Sequence, residues 1–223
     1  MNGDQILDAI ELLFPNAKCE LYHETPFQLL VAVVLSAQTT DASVNRITPA
    51  LFQKWPDSKS LMNASLPDVE EAIRTIGLYR NKARNIIALS RALEENFNGI
   101  VPSSYEDLQS LPGVGRKTAN VVRSVAFDIP SFAVDTHVER VSKRLGLADL
   151  GDDPLKVEEK LKQEISRTRW NQGHHDMIFF GRYFCTAKKP QCMECPFQSF
   201  CKKDELEAYK KSLKEKKKNG TGK

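Results

Sequence analysis

Three features of this 223-residue chain could do chemistry: a lysine beside two glycines, an aspartate that opens a helix, and a group of four cysteines. The lysine is Lys117, in the stretch Leu111-Pro112-Gly113-Val114-Gly115-Arg116-Lys117-Thr118-Ala119-Asn120. Gly113 and Gly115 are expected to supply the positive φ values of a tight reversal and to let a backbone approach a ligand closely. Residues 116–127 read as helix, so the N–H groups of Gly113, Val114, Gly115 and Arg116 are expected to point out of its N-terminal end, which suits a phosphate. The spacing is not that of a mononucleotide loop, and no β-branched strand precedes it. A helix–turn–helix that grips a nucleic-acid phosphate fits better. Lys117 itself falls in the first helical turn, where the helix dipole disfavours a cation. Two roles stay open there: a counter-charge to the phosphate, or an amine that must be free to attack carbon and gains from that disfavour.

Asp135, in Val134-Asp135-Thr136-His137, is read as a helix N-cap, a role worth about 1 kcal/mol. A carboxylate that accepts backbone N–H groups can steady a cation or take up a proton, and makes a poor general acid. Cys185, Cys192, Cys195 and Cys201 follow the pattern C-x6-C-x2-C-x5-C. A zinc site commonly brings two short-spaced pairs, and here only Cys192 and Cys195 form one. All-thiolate ligation with uneven spacing suits a cubane iron–sulfur cluster, with zinc as the alternative. Lys188, Lys189, Lys202 and Lys203 flank the group, so the loop is read as structural and DNA-facing. The fifth cysteine, Cys19, reads as a small hydrophobe, and His137, His174 and His175 as hydrogen-bonding or packing residues. An odd count with four clustered argues against a secreted disulfide framework and for a reducing compartment.

Helical signals dominate the elements that must position these groups, and convincing period-2 strands are absent. Residues 3–14 place Ile6, Leu7, Ile10 and Leu13 on one face. Thr25-Pro26-Phe27-Gln28 reads as a capping box that opens an apolar helix to Leu35, greasy nearly all round and so central to a domain. Further helices start at Thr40 or Asp41, at Ser65 with a stop at Gly77, at Arg80 with a stop at Gly99, and in Pro102-Ser103-Ser104-Tyr105-Glu106. Others open at Asp135, at Asp153-Pro154 and at Asn171, the last delivering the chain to Cys185. Gly77, Arg80 and Ala83 echo Gly113, Arg116 and Ala119, which hints at a degenerate second hairpin.

The formal charge is +3, but residues 202–223 hold nine lysines against four acidic residues, a local +5, and the first 201 residues carry −2. A nucleic-acid partner would meet a local patch, and residues 210–223 read as a lysine-rich, flexible tail. The start Met1-Asn2-Gly3-Asp4 lacks a secretory pattern, and the longest apolar run, Leu29 to Leu35, is too short for a membrane span. A cytoplasmic, nucleoid-associated protein is expected.

Taken in order, Leu35-Ser36-Ala37-Gln38-Thr39-Thr40-Asp41, Ile76-Gly77-Leu78-Tyr79, the 111–120 hairpin, Val134 to His137 and the cysteine loop resemble the endonuclease III family of helix–hairpin–helix DNA glycosylases. The resemblance covers nearly the whole chain. It implies an all-α protein of two domains with a DNA-binding cleft between them: a six-helix barrel over 19–129, and 1–18 plus 130–209 carrying a [4Fe–4S] cluster on loop 185–201. It also implies the activity, removal of damaged pyrimidines from double-stranded DNA followed by β-elimination at the abasic site, by a monomer. Lys117 would be the Schiff-base nucleophile and Asp135 its partner carboxylate. Gln38, Leu78 and Ile76 would fill the gap left by a flipped nucleotide, a sensible use of an apolar wedge because unstacking costs a few kcal/mol. From local sequence alone Leu78 equally reads as a hydrophobic staple and Gln38 as a helix-end residue. Two other functions are compatible with parts of the pattern. An adenine-specific mismatch glycosylase shares the fold and cluster but lacks the hairpin lysine. A non-enzymatic iron–sulfur redox sensor leaves Lys117 and Asp135 without a role.

Overall fold

The computed structural model describes residues 1–220, and among them it contains helices and no strand. The chain divides into two compact units, Cys19–Ala133 and Met1–Lys18 with Val134–Lys223. The first helix, α1 (Gly3–Leu13), opens on a reciprocal box between Asn2 and Gln5.

Seven helices build the unit 19–133. In α2 (Pro26–Leu35) every residue from Phe27 to Leu35 is buried, as its all-round apolarity demands. Thr25 caps it through the Gln28 N–H, but the Gln28 side chain turns back to the Glu24 N–H, so the expected reciprocal box is not made. Thr40 caps α3 (Asp41–Lys54). A short helix that the periodicity does not reveal, α4 (Ser58–Met62), has five residues, too few for a repeat to register. Then come α5 (Leu66–Ile73), α6 (Tyr79–Phe97), α7 (Tyr105–Ser110) and α8 (Arg116–Phe127). Helix α2 packs on α8, and α4 and α5 pack on α6. Gly77 does not end α5, which stops at Ile73; the left-handed residue there is Leu78. The unit runs on to Ala133, because Ser131, Phe132 and Ala133 are buried and Asn120 Nδ2 donates to the Phe132 carbonyl at 3.3 Å.

The second unit joins α1 with α9 (Thr136–Leu145), α10 (Pro154–Glu164), α11 (Trp170–Phe179) and α12 (Lys203–Gly220); α1 packs on α10 and α11, and α9 on α10, α11 and α12. Helix α11 does not run straight to the cysteines but passes into a π-helical turn at Phe180–Phe184. Helix α12 carries the chain on to Gly220, and Leu206 in its first turn is buried at 1% exposure. Residues 221–223 of the lysine-rich tail lie outside the described residues. Among the described residues no helix is long and apolar enough to cross a membrane.

Arg169 ties α11 to α1 by donating to the Asp4 carbonyl (2.8 Å), Asp8 (2.7 Å) and Glu11 (2.6 Å). Beneath this clamp lies Asp176, fully buried, with Gln172 donating to one of its oxygens at 2.7 Å. Burial, reinforced by the Glu11 charge and only partly offset by Gln172 and Arg169, raises its pKa from 3.8 to about 7. The native state therefore holds the Asp176 proton more tightly than the unfolded chain. Its stabilising contribution is full below the unfolded value of 3.8 and is lost as pH rises to about 7. The loss amounts to roughly 2–4 kcal/mol. Asp176→Asn should flatten the fall in thermal stability between about pH 5 and pH 8; an unchanged pH profile would show that Asp176 does not titrate in that range.

Candidate functional site

In the unit 19–133 the turn between α7 and α8 is pinned from inside by Leu111 and Val114, both buried, with the Val114 N–H bonded to the Leu111 carbonyl at 3.1 Å. That N–H therefore closes the turn and does not point at a ligand, contrary to the sequence reading. Gly113 has φ +79°, and a Cβ there would stand 3.1 Å from the Asn85 side chain. Gly115 does not share this conformation. Its φ of −96° and ψ of −179° are extended backbone open to any residue, and a Cβ on it would meet nothing within 4 Å. Its contribution is a helix start without a side-chain cap, the kind of N-terminal end that suits an anion. Arg116 and Lys117 stand exposed on that turn, and the Arg116 guanidinium lies 5.5 Å from the centre of the Tyr105 ring.

Gln38 and Leu78 share an unusual backbone. Four non-glycine residues among those described have positive φ, and two of them, Asn98 and Asp128, are helix C-caps of residue types that tolerate it. The other two are Gln38 at φ 54° and Leu78 at φ 59°. A leucine in this region is strained by about 1–2 kcal/mol, and strain of this kind clusters at ligand-contacting sites. Both side chains are exposed, Leu78 by 56%. Ile76 differs: at 3% exposure it belongs to the core, so its side chain is not on the surface where a duplex could reach it.

In the other unit Asp135 is half-buried at the start of α9, and one of its oxygens accepts the His137 and Val138 N–H groups at 2.8 and 2.9 Å. His137 is held below the usual histidine range by burial, against the pull of Asp135. Cys185 follows the π turn, its N–H bonded to the Phe180 carbonyl at 2.6 Å. Short 3₁₀ turns at Cys192–Glu194 and Gln198–Phe200 bring the other cysteines round. Burial raises the thiol pKa of Cys195 and Cys201, and the charges of the neighbouring cysteine sulfurs raise it further. Among the described residues no three His, Cys, Asp or Glu side chains are grouped tightly enough for a single ion. An all-sulfur donor set of four cysteines suits an iron–sulfur cluster. Lys188 and Lys189 are exposed on the loop.

Two residues escape sequence reasoning. Arg144, fully buried, donates through Nη1 to the Cys185 Sγ (3.2 Å) and the Thr186 carbonyl (2.9 Å), and through Nη2 to Glu207 (3.2 Å). Arg140 donates to the Gly181 carbonyl at 2.6 Å and the Cys185 carbonyl at 3.1 Å. Cations near the end of α9 read in sequence as helix-dipole partners on the surface. Only the fold turns them onto the loop.

Residues 31–167 match the family of HhH-GPD superfamily base excision DNA repair proteins, and residues 185–201 match the iron–sulfur binding domain of endonuclease III. Endonuclease III of Bacillus subtilis (strain 168) is 53% identical over 196 residues, 88% of this chain and 90% of that one. The chain belongs to the endonuclease III family. Endonuclease III of Escherichia coli (strain K12) is 43% identical over 197 residues, 88% of this chain and 93% of that one. The solved structure of a trapped endonuclease III–DNA covalent intermediate superposes with a TM-score of 0.89 at 51% identity, covering 93% of this chain and 99% of that one. A thermostable thymine-DNA glycosylase at 21% identity and TM-score 0.79 shares the fold. As a member of the endonuclease III family the protein is a DNA glycosylase and abasic-site lyase of base excision repair, binds DNA and carries a [4Fe–4S] cluster. The mismatch-glycosylase and redox-sensor alternatives give way to this assignment.

Proposed function

We propose that the protein, acting as a cytoplasmic monomer, excises oxidised or ring-damaged pyrimidines from duplex DNA and then cuts the strand through a Schiff base on Lys117. The observation that carries this reading is Lys117 itself, exposed on the uncapped first turn of α8, directly after the Gly113 reversal, in a chain of this family. The Lys117 amine attacks C1′ as the glycosidic bond breaks, and the damaged base leaves with the bonding pair and takes up a proton. Opening of the sugar ring gives an imine between Nζ and C1′. Loss of a C2′ proton expels the 3′-phosphate, and water then releases the lysine. Asp135, whose carboxyl accepts two backbone N–H groups, is the partner carboxylate of this reading and supports the positive charge that develops at C1′.

In the same reading the helix start at Gly115 and Arg116 holds a DNA phosphate, and Gly113 shapes the turn. Gln38 and Leu78 enter the space left by the flipped nucleotide, with Ile76 supporting them from the core. Cys185, Cys192, Cys195 and Cys201 hold the cluster, which organises the loop that offers Lys188 and Lys189 to the backbone. A duplex carrying one oxidised pyrimidine tests the proposal. Release of the free base together with a nick that leaves an unsaturated aldehyde at the 3′ end is expected. Activity confined to undamaged or purine-damaged duplexes would overturn the substrate class.

A further inference from the structure

Gln38 and Leu78 sit on different loops of the unit 19–133, one after α2 and one before α6. A single residue reaches both. Lys82 lies on the first turn of α6 and is 4% exposed. Its backbone N–H bonds to the Leu78 carbonyl at 3.0 Å. Its ammonium donates to the Thr39 hydroxyl at 2.6 Å, and that hydroxyl in turn makes a long, 3.5 Å bond to the Ala37 carbonyl. Gln38 is thus flanked on both sides by atoms that this chain of bonds holds, while Leu78 is held by the same lysine's main chain. The Lys82 amine has little water to fall back on, since burial pushes its pKa down from the usual lysine range. A buried ammonium that loses its acceptor is costly, so the Thr39 bond is not a surface ornament. Two left-handed, strained residues on separate loops need a fixed mutual geometry if they are to enter one gap together.

We propose that Lys82 and Thr39 are positioning residues that lock the Gln38 and Leu78 turns to each other, so that the two side chains enter the duplex as one unit. The inference rests on the reading of Gln38 and Leu78 as gap-filling residues. Neither Lys82 nor Thr39 touches the reacting sugar. Their loss should impair extrusion of the damaged nucleotide and spare the chemistry that follows it.

The test uses the full-length protein with its cluster and a duplex that carries 2-aminopurine opposite an oxidised pyrimidine. Thr39→Val removes the acceptor with the shape kept, Thr39→Ser retains it, and Lys82→Met removes the donor. Single-turnover excision and the rise in 2-aminopurine fluorescence should both slow roughly ten- to hundredfold in Thr39→Val and Lys82→Met, as befits one lost charge-assisted hydrogen bond. Thr39→Ser should restore both, and affinity for undamaged duplex should stay within about twofold, since no phosphate contact is removed. If Lys82→Met does not fold, the Thr39→Val and Thr39→Ser pair decides alone. In a double-mutant cycle, Gln38→Ala and Leu78→Ala should be coupled in the wild-type background and additive in Thr39→Val. Wild-type fluorescence kinetics in Thr39→Val, with excision lost in Gln38→Ala and Leu78→Ala, overturns the lock and leaves the gap-filling reading standing. Full excision in Gln38→Ala and Leu78→Ala overturns both.

Discussion

Lys117→Gln should abolish borohydride trapping of the protein on an abasic-site duplex and lower strand cleavage by about a thousandfold or more, the scale of losing a covalent nucleophile. Glutamine matches lysine closely in reach but has no amine, so it makes no imine for borohydride to reduce. The outcome separates the two roles left open by the sequence. If Lys117 were a counter-charge to a phosphate, its replacement would weaken duplex binding uniformly and reduce the salt slope by about one, while trapping continued through another amine. If it is the nucleophile, duplex affinity moves little and trapping vanishes. The geometry favours the second role, because the start of α8, with no side-chain cap, is already the kind of end that suits an anion. A trapped adduct in Lys117→Gln at the wild-type level would sink the Schiff-base mechanism.

The hairpin was legible because its signals are local. A cap, a helix period and a glycine turn each depend on neighbours within a few residues, so α8 and α9 start where Gly115 and Asp135 direct. The assignment of φ was less secure for the same reason. Two glycines in a turn look alike in sequence, yet only Gly113, hemmed by Asn85 from α6, takes the left-handed conformation. Leu78 inverts the rule: a leucine adopts φ 59° beside Gly77, which does not, a choice that local propensity opposes.

Long-range partners were beyond reach. Lys82 meets Thr39 across 43 positions and Arg144 meets Cys185 across 41, and nothing at either end marks the pairing. Both cations sit at helical positions where a solvated surface residue is the ordinary expectation. The helical tail had a different obstacle. Its lysines suggest a frayed end, and the one buried apolar residue near its start, Leu206, stands alone in a charged run.

Arg144→Met should cost roughly 2–4 kcal/mol, enough to lower the melting temperature by about 5–15 °C, and should reduce iron content and the visible absorbance of the purified protein. Methionine fills a similar volume but donates nothing, and Arg144 serves both ends of the cysteine loop. Its guanidinium reaches the first cysteine, at Cys185 Sγ, and the adjoining Thr186 carbonyl, while its own carbonyl accepts the Lys202 N–H at 2.7 Å, one residue beyond the last cysteine. A fully buried cation beside an all-thiolate donor set also offsets negative charge that water cannot screen. With the side chain gone, Cys185 and Thr186 lose a buried donor, Glu207 on α12 loses its partner, and the main-chain bond to Lys202 must hold the loop unaided. Arg144→Lys should fall between, because one ammonium cannot fork toward Cys185 and Glu207 at once. Iron content, absorbance and melting temperature all at wild-type values in Arg144→Met would mean that the cysteines hold the loop without this clamp.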